Sequence, residues 1–147
     1  MSAKSIARLK ELCYIVPKQI RIISDQDLLY KSALGKWSKL EILGHLVDSA
    51  TNNHHRLIRS RLEEVPSITY NGDDWVRIQN YQEMGREHVL ILWQTYNLHM
   101  ANVMSGVIND DLQKEVLVND GERVNLAFLI DDYVAHLEHH LKQILTS

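Results

Sequence analysis

Over 147 residues the chain carries only two prolines and six glycines, and between them apolar residues recur at helical spacing for long stretches. A chain so sparsely punctuated, with an apolar period of three to four residues, is built for long amphipathic helices. With 45% hydrophobic and 24% charged residues it has globular composition. Its length suits one domain, residues 1–147, with a core of its own.

Ile6, Leu9, Leu12 and Cys13 begin a first amphipathic segment. Pro17 fits the first turn of a continuation through Ile20, Ile22 and Ile23, where its missing N–H goes unpaired anyway. Ser24-Asp25 reads as a stop, and Leu28 to Leu34 as a short turn or one loose helical turn before Gly35. A second helix starts at Ser38, which forms a capping box with Glu41. Its stripe of Leu43, Leu46, Val47, Ala50, Leu57 and Ile58 runs to about Leu62, and Val65-Pro66 ends it. Residues 66–74 are polar, with a turn at Asn71-Gly72, and form the longest irregular stretch. Such a segment suits the rim of a pocket.

A third helix is expected from Asp73 or Asp74 to about Ile108, with Gly85 marking a kink or break. After Asn109-Asp110-Asp111, the run Val116-Leu117-Val118 can be extended, and Asn119-Asp120-Gly121 can close a small hairpin. Asn125 then caps a last helix, Leu126 to about Leu145. Four substantial helices joined by one short and two longer connections predict an all-α, antiparallel-type four-helix bundle.

A net charge of -3 and a pI near 6.2 give no electrostatic footprint for DNA or RNA. Arg56, Arg59 and Arg61 cluster, but Glu63 and Glu64 follow, so the cluster reads as a solvated helix face. No apolar run approaches the roughly 18 residues of a membrane span. The single Cys13 excludes an internal disulfide and suits a reducing compartment, and the first ten residues lack a signal-peptide pattern. The expected location is cytoplasmic, with neither nucleic acid nor membrane as partner.

Among eight histidines, His136 and His140 stand four residues apart, within roughly 40° on a helix. Both edge the apolar stripe that holds Tyr133, Leu137 and Ile144, where an unpaired polar ring is costly. His45 borders the apolar face of its own helix, beside Glu41, Ser49 and Asn52, and can point inward from the other side. Two readings follow: core-edge histidines satisfied by hydrogen bonds, or three nitrogens on one metal ion. His54, His55, His88, His99 and His139 lack a partner at the right spacing and face. The pattern is weaker than H-E-x-x-H, because residue 137 is Leu and no base is built in.

Three segments carry a resemblance: W-S-K-L-E-I-L-G-H-L-V-D-S (37 to 49), D-W-V-R-I-Q-N-Y-Q (74 to 82) and D-Y-V-A-H-L-E-H-H-L-K-Q-I (132 to 144). In this order they resemble the DinB-like superfamily, most closely its metal-dependent hydrolases of the YfiT type. The resemblance implies an up-down-down-up bundle and a divalent metal, usually zinc or nickel. Its ligands would be one histidine of the second helix and an H-x-x-x-H pair of the last, which fall here on His45, His136 and His140. Gln143 matches the common H-x-x-Q ending, whereas Lys142 replaces a frequent glycine. Homodimers are also implied. The superfamily includes thiol transferases using bacillithiol or mycothiol, and a maleylpyruvate isomerase.

Three neutral imidazoles leave a divalent metal with open positions. Such a centre can acidify water for hydrolysis or take a low-molecular-weight thiol as thiolate, and the ligands do not decide between them. A non-catalytic bundle with a structural metal, or one acting as a stress-linked binding module, is the third reading. Asp48 is the preferred orienting carboxylate or general base, with Glu41, Asn52 and Asp132 as further neighbours of the histidines. Trp75, Tyr81 and Tyr133 are candidate pocket walls, and Arg56 a candidate receptor for an anionic group of a small-molecule substrate.

Overall fold

The computed structural model describes residues 2–146. Four long helices form the body: α1 (Ser2–Arg21), α3 (Lys39–Arg59), α5 (Arg86–Ser105) and α6 (Leu126–Leu145). Two short ones, α2 (Asp25–Leu29) and α4 (Gly72–Gln79), lie in the connections, as does a hairpin of β1 (Glu115–Leu117) and β2 (Arg123–Asn125).

Local chemistry sets most boundaries. The Ser38 hydroxyl accepts from the Glu41 amide while the Glu41 carboxylate accepts from the Ser38 amide, which completes the expected capping box. Asn125 caps α6 by accepting from the Phe128 amide at 2.8 Å. Gly85, at φ +85, breaks the expected third helix. That helix is really two, because Asn80 enters the left-handed region and a 3-10 turn over Tyr81–Glu83 intervenes before α5. In the first helix the expectation of a restart at Pro17 is corrected. The helix runs through it without interruption, with Pro17 buried. A proline inside a helix frees the carbonyl four residues earlier. That carbonyl, Cys13 O, accepts instead from Gln94 Nε2 of α5 at 2.9 Å.

Cross-helix pairs give the directions. Arg21 at the end of α1 meets Glu87 at the start of α5, so these two run antiparallel. Ser5 bonds Asp131 and Arg8 bonds Glu138, so α1 and α6 run parallel. The start of α3 meets the end of α6, where His45 lies beside His140. Farther along α3, His54 meets Tyr96 in the middle of α5. The bundle is therefore up-down-down-up, with α1 and α3 each packed between α5 and α6.

This order has a consequence for the site. Because α3 and α5 are parallel, the chain must return along the bundle between them, and residues 60–85 do so. The return is tied to the hairpin by the Ile68 amide on Leu117 O at 3.0 Å. It then passes the α3 start, where the Tyr81 ring packs so closely on Gly44 that any Cβ there would overlap it. One continuous core fills the bundle, centred on Leu9, Leu43, Leu57, Leu90, Trp93, Met100 and Ile144. Tyr133 crosses it to donate to Asn97 Oδ1 at 2.5 Å.

Candidate metal centre

His45 on α3 faces His136 and His140 on α6, whose spacing of four residues puts them on one face. One nitrogen from each ring lies within 4.8 Å of the other two. His136 Nε2 and His140 Nε2 are 3.1 Å apart. Two nitrogens at about 2.0–2.1 Å from one tetrahedral ion stand about 3.4 Å apart, so the pair needs little adjustment to share one.

The surroundings of all three rings disfavour protonation. His45 is buried, and its pKa is brought down from 6.5 to about 4 by that burial, with the other two histidines adding to the effect. Burial also lowers His136, helped by His140 and opposed by Asp132, and it lowers His140 against the pull of Gln143. His45 Nδ1 is buried without a hydrogen-bond partner, a polar atom that an interior does not leave idle without cost. Two features fix the rings. Trp37 packs against His45 at 4.7 Å between centroids. Gln143 Oε1 lies 2.9 Å from His140 Nδ1, so that a proton on Nδ1 leaves the Nε2 lone pair facing His136. On this donor chemistry the residues fit a divalent ion.

Asp48, one turn beyond His45, is buried but engaged elsewhere. Its Oδ1 accepts from Tyr81 Oη at 2.6 Å and from Gln79 Nε2 at 2.7 Å, while Oδ2 has no partner. Burial raises its pKa and both hydrogen bonds oppose the rise. Glu41 is occupied by the capping box and by Lys31 at 3.2 Å, Asn52 donates to Asp48 O, and Asp132 is exposed. Of the five set-aside histidines, His54 and His99 meet each other, His54 also meets Tyr96, and His139 packs on His140.

A cavity of about 320 Å³ runs between α3 and α6 beneath the return segment and the hairpin turn. Its walls include Ser49, Asn53, Tyr70, Tyr133 and, at one end, His136. Tyr133 thus lines it, whereas Tyr81 packs behind Asp48 and Trp75 meets the Tyr70 ring edge-on. The reading of Arg56 as part of a solvated face is corrected: Arg56 is buried in the cavity wall, covered by the return segment. Helix periodicity alone could not show this. Tyr70 and Asn119 were missed as well, because only the fold brings these loop residues against α3.

Fold and site together define a class: four-helix bundles with a histidine cluster between the second and last long helices. The sequence model of the DinB superfamily matches residues 15–144, and the chain belongs to that superfamily. A Bacillus licheniformis protein bearing the name "Putative metal-dependent hydrolase" is 24% identical over 143 residues, covering 96% of this chain and 81% of the relative. A Bacillus cereus protein of the same designation is 23% identical over 140 residues, covering 95% and 80%. Among solved structures, YfiT from Bacillus subtilis superposes with a TM-score of 0.88 at 23% identity, covering 97% of this chain and 83% of that one. It is described as a probable metal-dependent hydrolase with an unusual four-helix bundle topology, and the likeness extends to the fold.

Proposed function

We propose that this protein is a metal-dependent hydrolase of a small molecule, with His45, His136 and His140 as the ligands of one divalent ion. The observation that carries the reading is the convergence of three imidazoles, one nitrogen of each within 4.8 Å of the other two, beside a cavity. The relatives' names point the same way. A three-nitrogen set suits zinc or nickel, and in such a site the ion supplies Lewis acidity and makes water acidic enough to serve as nucleophile near neutral pH.

The chain's own residues have separate tasks. Gln143 holds the His140 tautomer, and Trp37 holds the His45 ring, so the nitrogens converge before any ion arrives. The cavity receives the substrate on the His136 side, with Tyr133 and Tyr70 as walls. The hydrogen bonds of Asp48 favour a positioning role over that of a base, because they clamp the return segment through Tyr81 and Gln79. Gly72 of that segment lies against the His45 ring.

The test is a panel of ester and amide substrates, with and without low-molecular-weight thiols. Turnover that is lost on chelation, restored by zinc or nickel and independent of thiol supports the reading. Turnover that requires a thiol replaces it with S-transfer, and metal-independent turnover overturns it.

A further inference from the structure

Arg56 is a buried cation with only neutral partners. Its Nε and Nη2 donate to Ile68 O at 3.1 and 2.8 Å, Nη1 to Asn53 Oδ1 at 3.3 Å, and Nη2 also to Asn119 Oδ1 at 3.2 Å. The Tyr70 ring lies 5.7 Å from its Cζ. Among the described residues no carboxylate comes within ion-pair distance of it. A guanidinium carries five N–H groups; four donations are made, so one on Nη1 is left over. Burying a charge without a counter-charge is costly. A chain that keeps one in a cavity wall, where leucine or methionine would pack, has a use for it.

Building on the hydrolase reading, we propose that the cavity is the binding site for a substrate bearing a carboxylate, which Arg56 anchors at the end away from the histidines. The anion is a monoanion, held through the single N–H that Nη1 has left. The cavity's other charges, Asp120, Glu122 and Asp132, are exposed carboxylates. Solvent screens them, but a phosphate dianion would face all three with one arginine in its favour. His45 and Arg56 are eleven residues apart on α3, about 16 Å along its axis. The substrate is therefore an extended molecule with its carboxylate remote from the bond that breaks.

The experiment measures binding, so it stands apart from turnover. Benzoate and its neutral isostere benzamide are titrated calorimetrically into the full-length protein, wild type and the variants Arg56→Met, Arg56→Lys and His136→Ala. Benzoate is expected to bind at least about tenfold tighter than benzamide, the scale of one hydrogen bond to a charged group. Arg56→Met should abolish that preference, Arg56→Lys should keep part of it, and His136→Ala should keep all of it. Equal affinity of the two probes for wild type overturns the proposal and needs no variant to fold. So does a benzoate preference that survives Arg56→Met or disappears in His136→Ala, since the anion then sits at the histidines. A retained preference in a protein without hydrolytic turnover would sink the hydrolase reading and leave the anion site standing.

Discussion

Gly44 shows how one residue can tie the bundle to its site. The Tyr81 ring occupies the space a side chain would need at that position, and its hydroxyl is held by Asp48. Gly44→Ala should therefore destabilise the protein by about 1–3 kcal/mol, the usual cost of overpacking a filled interior, as read by urea denaturation. His45 sets the behaviour in acid. Its folded pKa, about 4, lies below the 6.5 of the free side chain, so between these values the unfolded chain binds a proton that the folded chain does not. Stability is then full above pH 6.5 and falls as pH drops towards 4, by on the order of 3 kcal/mol. Denaturation of metal-free protein at pH 7 and pH 4.5 should show the loss, and His45→Phe should flatten it. The i,i+4 pair on α6 was legible from spacing alone. Arg56 was not, because a helix-face count has no knowledge of the segment that folds over it.

Elements were most legible where a side chain bonds its own backbone. The caps at Ser38 and Asn125 lie where the sequence places them, since an N-cap needs only a short-range acceptor. The hairpin around Asn119–Gly121 also forms, with Val116 paired to Val124. Pro17 is where local reading failed, because the compensation comes from eighty-one positions away. Gln94 takes over the Cys13 carbonyl that the proline leaves free, an exchange visible only in the assembled pair of α1 and α5. Removing the donor should thus cost more than an ordinary half-buried polar change. Gln94→Leu is expected to lower stability by about 1–2 kcal/mol and to raise amide hydrogen exchange around residues 13–17, with little effect elsewhere.

At the scale of the whole molecule, topology makes the site. Loop lengths alone suggest simple alternation, and the up-down-down-up order was legible only through the resemblance of three separated segments. With α3 and α5 parallel, the return connection has to pass over α3, and it becomes the roof of the cavity. The histidines come from the two helices beneath that roof. Among the described residues no helix is long and apolar enough to cross a membrane. Joint ligation of one divalent ion by His45, His136 and His140 is tested by elemental analysis of the purified chain and its three single alanine variants. About one divalent ion per wild-type chain is expected, with a large loss in each of His45→Ala, His136→Ala and His140→Ala and folding retained by circular dichroism. Stoichiometric metal in all three variants, or a wild-type chain that takes up none when supplied with zinc or nickel, would contradict it.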